Sequence, residues 1–235
     1  MKRYRWVAVE WPFSMRVLAK RLKAKAFEGE LADGFVIDRV RDDFVEARFV
    51  ERVEYDDKVT DPFGSELVFH RVEFRQCRFR AATAGPGLEL QDAPRSIQTM
   101  VSRLLEVTDF SLAIQPVSID VLAWAMAVQK RLGKPGIVDS IQIGELDLTK
   151  DVTAKVVIKG SRDVLDASMA LVNGRTHIVE KVQVSLEDAK RTKLILSTAG
   201  VLKLNGEASE EVLDSARFGL LKLLSVGKNQ PDKPR

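Results

Sequence analysis

The sequence predicts an α+β protein built as a tandem duplication of a strand-helix-antiparallel meander-helix unit with pseudo-two-fold symmetry. Two repeated segments predict the duplication, and strands of period two beside amphipathic helices predict the class. Residues 12–19 return as residues 116–123, with Pro, Ser, Val, Leu and Ala identical in register. Thr83-Ala84-Gly85 returns as Thr198-Ala199-Gly200, and a Leu-x-Leu follows each copy. Two matches in the same order favour a common origin.

Each copy opens with an apolar strand, predicted at residues 4–10 and 110–115. A Pro and a Ser follow, and these residues suit the start of a helix. The next residues carry apolar side chains at helical spacing, which predicts a helix packed on a sheet. These are Met15, Leu18, Ala19, Leu22 and Ala26 in the first copy and Val121, Leu122, Ala125 and Val128 in the second.

The middle of each copy alternates apolar and polar residues, which predicts antiparallel strands. Turn chemistry separates them at Asp61-Pro62-Phe63-Gly64 and at Asn173-Gly174, a pair typical of tight hairpins. The predicted strands are 34–41, 44–55, 66–76 and 77–83, then 139–148, 152–159, 167–173, 176–186 and 191–197. A short strand after each Thr-Ala-Gly and a helix, at about 93–105 or 209–224, close each copy. The predicted domains are residues 1–107 and 108–226, and the polar, Pro-containing residues 227–235 are predicted to be a disordered tail.

Composition narrows the class of protein. The 235 residues are 45% hydrophobic, and no apolar stretch approaches the length of a membrane span. The first residues lack the apolar run of a signal peptide, so we expect a cytoplasmic protein with no membrane partner. Cys77 is the single cysteine and there are two histidines, too few for a thiolate-rich metal site. We therefore expect no cofactor and a buried structural thiol.

Charge is unevenly distributed along the chain. The net charge is only +3, but residues 1–26 hold eight basic side chains against one acid. That segment is therefore about +7, which leaves about −4 for the remainder. A basic pole of this kind permits binding to a polyanion.

Two families share features of this pattern. The duplicated order of strand, helix, antiparallel strands and helix resembles the saddle of the TATA-box-binding protein fold, in which a duplicated sheet lies over DNA. Residues 179–184, 193–196 and 200–204 resemble the recombination-associated RdgC family, which has two strands that end in a Gly and a short basic-apolar strand there. The second resemblance implies sequence-independent DNA binding by ring-shaped dimers that restrain recombinase filaments. This chain is shorter than the usual member.

The first helix is a candidate nucleic-acid-binding element. Arg16, Lys20 and Lys23 fall on one face, opposite the apolar stripe, and such a face grips phosphates by neutralising their charge. The alternative is a solvated face whose long side chains cover the edge of the core.

A second candidate is the strand region 67–80. Arg71, Arg75, Arg78 and Arg80 are interleaved there with Phe69, Phe74 and Phe79, a pattern that suits a nucleic-acid backbone and its bases. Residues 27–82 also hold many acids, and cross-strand ion pairs with all four arginines are the favoured alternative. The second-copy cluster is Lys190, Arg191 and Lys193, for which a solvated hairpin end is the alternative interpretation.

The sequence offers no catalytic constellation. His70 and His177 lie in predicted strands without the spacing of a triad or metal motif. A hairpin between the strands 66–76 and 77–83 would bring Cys77 near His70, but no third residue orients them, so a structural role is favoured. Gly85-Pro86-Gly87 is predicted to be a turn. The protein is expected not to be an enzyme.

These observations lead to three hypotheses. The first is a non-enzymatic DNA-binding protein with little sequence specificity, acting in DNA recombination, repair or genome defence, because the candidates are phosphate-type contacts. The second is a protein-interaction module, or a subunit of a larger nucleoprotein assembly or homo-oligomer, whose strand edges add to a partner's sheet. The third is a ligand cavity between a sheet and a helix.

Overall fold

A computed structural model gives the structure of the chain and describes residues 1–187, 192–205 and 209–227. This part of the chain forms five helices and eleven strands, so the α+β class is confirmed. The helices are α1 (Met15–Lys23), α2 (Gln98–Val107), α3 (Val121–Leu132), α4 (Leu165–Val172) and α5 (Glu210–Gly227). The strands are β1 (Lys2–Glu10), β2 (Asp33–Val40), β3 (Phe44–Thr60), β4 (Glu66–Ala82), β5 (Gly87–Gln91), β6 (Ala113–Gln115), β7 (Gly136–Thr149), β8 (Val152–Lys159), β9 (Ile178–Leu186), β10 (Lys193–Ser197) and β11 (Val201–Leu204). None of the described helices has both the length and the apolar character needed to cross a membrane.

The chain divides into two compact units. Unit 1 contains Met1–Val9, Ala84–Glu89 and the described residues of Ile114–Arg235. Unit 2 contains Glu10–Thr83 and Leu90–Ala113. Both predicted repeats contribute to unit 1, because it takes its first strand from the start of the chain.

Unit 2 is an antiparallel sheet in the order β2-β3-β4, with α1 and α2 packed beside it. β3 and β4 pair without a register shift from Phe44, opposite Ala82, to Thr60, opposite Glu66. β2 is shorter, and its pairing with β3 ends where Asp33 lies opposite Glu51. The distal half of the β3–β4 ribbon, residues 53–73, therefore extends past β2. We call these residues the arm.

The core of unit 2 follows from the helical spacing of α1. Ser14 caps this helix, and its side chain accepts a hydrogen bond from the backbone N–H of Val17. The predicted stripe is confirmed for Met15, Leu18, Ala19 and Leu22, which are buried, whereas Ala26 lies beyond the end of α1 and is half-buried. On the sheet, Phe35 and Phe49 are buried with ring centroids 5.2 Å apart.

Unit 1 pairs its strands in the order β1-β11-β10-β9-β7-β8, with α3 and α5 in contact. The indole of Trp124 is fully buried and donates a hydrogen bond of 3.0 Å to the backbone oxygen of Ala216. Trp6 packs edge-on against Trp124 and donates to the carboxylate of Glu89 at 3.0 Å. Arg217 closes the cluster with 2.7 and 2.9 Å bonds to the same carboxylate.

Four local predictions are wrong. The tight hairpin at Asn173-Gly174 is one of them, because these residues follow a helix and do not join two strands. Residues 167–173 are not a strand, since α4 covers Leu165–Val172. The Asp163 carboxylate accepts a 2.8 Å bond from the Leu165 N–H and favours a helix start, while Asn173 ends the helix. A short apolar run cannot distinguish a strand from a helix. The strands predicted at 66–76 and 77–83 are one continuous strand, β4, and the cap of α3 is Asp120, whereas the sequence pointed to Ser118.

Candidate nucleic-acid interface

The helix α1 places its predicted basic side chains in solvent. Arg16, Lys20 and Lys23 are all exposed, opposite the buried stripe. Arg16 pairs with Asp42, and this hydrogen bond and charge hold the pKa of the Asp42 carboxyl below its usual range. Lys20 and Lys23 have no ion pair among the described residues. Their charge is therefore available to a ligand.

Arg21, on the same helix, has a structural role. Its guanidinium donates to the backbone oxygen of Val107 at 3.0 Å and to the carboxylate of Asp109 at 2.6 Å. It also lies 4.2 Å from the ring centroid of Phe13. These contacts tie α1 to the end of α2.

The four arginines of β4 fall on two different faces. Side chains alternate along a strand, and Cys77 and Phe79 are buried, so Arg71 and Arg75 share the core-facing side beyond the core. Arg78 and Arg80 lie on the opposite face. Arg71 and Arg80 are nine positions apart, about 30 Å along a strand. The structure does not bring the predicted set together.

Ion pairs account for only half of that set, and only one of the two pairs crosses the ribbon. Arg71 pairs with Asp57 across the ribbon at 2.8 Å, and Arg75 pairs with Glu73 on its own strand at 3.3 Å. Arg78 and Arg80 make no ion pair with any described residue, so the expectation that pairing accounts for all four arginines is wrong.

Arg80 packs on an aromatic ring shared with a second arginine. Its guanidinium lies 3.9 Å from the ring centroid of Phe44, and that of Arg39 lies 5.4 Å from the same centroid. Arg78 lies directly opposite Arg48, a like-charged arrangement that destabilises a sheet unless an anion compensates it. Arg48 is itself compensated by Asp38 at 3.1 Å, but Arg78 is not.

Arg39 and Arg80 lie on the outer face of the sheet near the turn that joins β2 to β3, because both are opposite Glu46, and Arg78 lies further along the same face. Arg41, in this turn, shares a cleft of about 370 Å³ with Arg16, Val40 and Asp42. The turn therefore links the basic face of α1 to the outer face of the sheet. We call the following residues the basic end: Arg16, Lys20, Lys23, Arg39, Arg41, Arg78 and Arg80. Sequence reasoning missed Arg39 and Arg41, although their spacing on either side of Val40, just before a turn, was a usable signal.

The second-copy candidates lie in unit 1 or outside the described residues. Lys193 is exposed and its ammonium lies 3.9 Å from the Asp139 carboxylate. The candidates Lys190 and Arg191 lie outside the described residues, as does the predicted tail after residue 227.

The thiol and imidazole are not brought together. His70 and Cys77 lie on one strand, seven residues apart and therefore on opposite faces. The hairpin that would have joined them does not exist. His70 lies beside Glu54 and Asp56 on the arm. Cys77 is buried as predicted, and burial raises the pKa of its thiol to about 11.

The described residues contain no group of three or more His, Cys, Asp or Glu side chains arranged to hold a metal ion. No protein-family model matches the chain, and no curated protein matches it either. The geometry of the basic end is therefore the basis for a functional proposal.

Proposed function

We propose that this protein binds DNA through the basic end and reads the phosphate backbone without base discrimination. The observation that supports the proposal is that most cations of the basic end are not neutralised by acidic side chains. Among the described residues, six of the seven cations of the basic end have no ion-pair partner, and only Arg16 has one. On the arm, by contrast, both Lys58 and Arg71 are paired with acids.

The arrangement suits a polyanion for two further reasons. Acids do lie nearby, and Glu46 is the cross-strand neighbour of Arg80, yet no ion pair forms between them. Guanidinium groups that pack on an aromatic ring keep their donors directed outward for phosphate oxygens.

The proposal includes only some of the binding residues that the sequence predicted. Arg71 and Arg75 are left out because both are paired on the arm, and Lys193 is left out because it lies in unit 1. A role in recombination, repair or genome defence agrees with the resemblance to the RdgC family and stays a prediction. So do the cytoplasmic location and the lack of enzymatic activity.

Fluorescence anisotropy with labelled single- and double-stranded DNA tests the proposal. Replacing Arg16, Lys20 and Lys23 together by Gln should weaken binding of every sequence to a similar extent. On duplex DNA it should also flatten the dependence of log affinity on log salt, by about 0.9 for each phosphate that the variant no longer neutralises. The matched control is the triple Gln replacement of Lys150, Lys203 and Lys222, which removes the same charge from exposed positions of unit 1. Absence of wild-type binding at low salt, or equal weakening in both variants, would reject the proposal.

We also propose that the chain arose by internal duplication. The two Thr-Ala-Gly segments support this, because Gly85 and Gly200 both adopt the left-handed backbone, with φ of +77° and +64°. The backbone oxygens of Pro86 and Gly200 accept hydrogen bonds from Val9 and Trp6 of β1. Homologous sequences that retain both matched segments in register would support the proposal, and homologues that lack any match between their halves would contradict it.

A further inference from the structure

The arm carries apolar side chains that nothing in unit 2 covers. Its two strands expose Tyr55, Val59, Leu67 and Phe69, each between 45% and 52% accessible. At the tip, Phe63 is 93% exposed. A two-stranded ribbon is marginally stable on its own, and exposed apolar groups of this number mark an interaction site.

The charge of the arm excludes DNA as its ligand. Residues 53–73 hold six acids and two bases, so the net charge is −4 with neutral His70. Both bases are already paired with acids of the arm. The complementary surface is therefore apolar and basic.

Unit 2 itself contains such a surface. A groove of about 590 Å³ lies between α1 and β2, and its walls are mostly apolar, with Ala19, Phe35, Val36, Ile37 and Val40 among them. Lys20 and Lys23 form its basic border. This α1–β2 groove is both apolar and basic, as the surface that complements the arm must be.

The groove also runs beside a strand edge that residues 25–27 occupy at Phe35 and that, within the described part of the chain, is free from Ile37 onward. β2 is the last strand of its sheet. Phe35 accepts a bond from Phe27 and donates one to Lys25, both at 2.9 Å, so its peptide groups point away from β3. Peptide groups alternate in direction along an antiparallel strand, so those of Ile37 point to the same open side. A further strand can pair there.

The arm cannot reach the groove of its own chain. Ile37 lies opposite Ala47 on β3, and Tyr55 lies eight residues further along the same strand. Eight residues of strand span about 26 Å, and the ribbon continues in regular register away from the groove. The occupant must therefore come from another molecule.

We propose that the arm of one copy of this chain docks in the α1–β2 groove of a second copy, with the outer edge of β3 paired to the free edge of β2. In that arrangement Val53, Tyr55 and Val59, which share one face, meet the apolar wall, while the acids of the arm approach Lys20 and Lys23. The contact joins two different surfaces, so it is heterologous and builds rings or chains of molecules.

Sedimentation velocity on the full-length protein tests this. An interface of one short strand belongs to the weak, transient class, so the measurement extends to about 100 µM. Wild type should associate reversibly, and salt should weaken the association. An arm variant (Tyr55→Thr, Asp56→Lys, Val59→Thr) and a groove variant (Lys20→Glu, Lys23→Glu) should each stay monomeric. Lys25→Glu is the matched control, because Lys25 is exposed but does not line the groove, and it should associate as wild type does.

Mixing the two variants gives the decisive result. The groove variant keeps an intact arm and the arm variant keeps an intact groove, so an equimolar mixture should form a one-to-one complex. A mixture that stays monomeric would overturn the arm-to-groove arrangement, as would a wild type that is monomeric throughout. Circular dichroism checks the fold, and Val40→Asp, on the exposed groove wall, replaces the groove variant if that variant unfolds.

The arm variant tests the docking proposal separately from the proposal of DNA binding. The arm variant retains every cation of the basic end, so it should bind DNA at least as tightly as wild type. Monomeric behaviour with intact DNA binding in that variant supports the docking proposal. Absence of DNA binding in a wild type that still associates would reject the proposed function alone.

Discussion

The two halves of the β3–β4 ribbon share one secondary structure and differ in everything that surrounds it. The half next to the turn at residues 41–43 is rooted in a core, with Phe49 and Phe79 at 2% and 3% exposure. The arm has no such cover, and Phe69 is 48% exposed. The two cations of the arm are paired with acids, whereas Arg78 and Arg80 in the other half have no ion pair among the described residues. One continuous ribbon thus carries a surface suited to anions and another suited to a basic, apolar protein surface.

The largest expected difference between the two halves is in stability. Phe49→Ala empties a buried site and should lower the free energy of unfolding by about 3–5 kcal/mol. Phe69→Ala changes an exposed side chain on the same ribbon and should cost less than about 0.5 kcal/mol. Urea denaturation of both variants measures the contrast. Equal destabilisation would show that the arm is packed as tightly as the half of the ribbon next to residues 41–43.

A smaller change in the free energy of unfolding is expected at high pH, and it comes from Cys77. Burial raises the pKa of this thiol from an ordinary 9.0 to about 11, so the unfolded chain loses the proton first. The stabilisation is about 3 kcal/mol; it is complete below pH 9 and is lost as the pH rises through 11. Cys77→Ala lacks this contribution.

Denaturation of both proteins at pH 9, 10 and 11 isolates that contribution, because every other group titrates alike in the two. The wild type should lose stability relative to Cys77→Ala across this range. Parallel curves would mean that the thiol is accessible to solvent. DNA binding should be unchanged in the variant, since Cys77 faces the core and not the basic end.

The smallest effect expected is on DNA affinity when single arginines are changed. Arg80→Gln removes one phosphate contact and should reduce the salt slope on duplex DNA by about 0.9. Arg71→Gln breaks an ion pair with Asp57 and should leave the slope unaltered. Anisotropy titrations at several salt concentrations compare the two. A larger change for Arg71→Gln would move the binding surface to the arm.

Periodicity predicted most of the fold because α1 and the meander strands bury one face each. The stripe of Met15, Leu18 and Leu22 and the bounds of β8 agree with the sequence. The helix α4 was missed because its eight residues form an apolar run without a clear period, and a local carboxylate at Asp163 decides its start. The continuity of β4 was missed because burial changes near residue 77, and the alternating sequence does not show whether a strand ends there or only leaves the core.

The candidate site was only partly predictable for a related reason. Composition located the basic residues of α1, but the partition of the β4 arginines depends on strand alternation and on which acids lie across the ribbon. Arg71 forms an ion pair with Asp57, a diagonal neighbour on β3, while the guanidinium of Arg80 packs on the ring of Phe44. Those partners depend on register, which the sequence did not determine.

Lysine protection by DNA most directly tests the difference between the basic end and the arm. The protein is acetylated with and without duplex DNA, at a concentration where it is monomeric, and modification is measured by mass spectrometry. Lys20 and Lys23 are exposed on the basic end, and Lys58 is exposed on the arm. DNA should protect Lys20 and Lys23 and leave Lys58 as reactive as in the free protein. Protection of Lys58 without protection of Lys20 and Lys23, or no protection at any of the three, would contradict the assignment of DNA binding to the basic end.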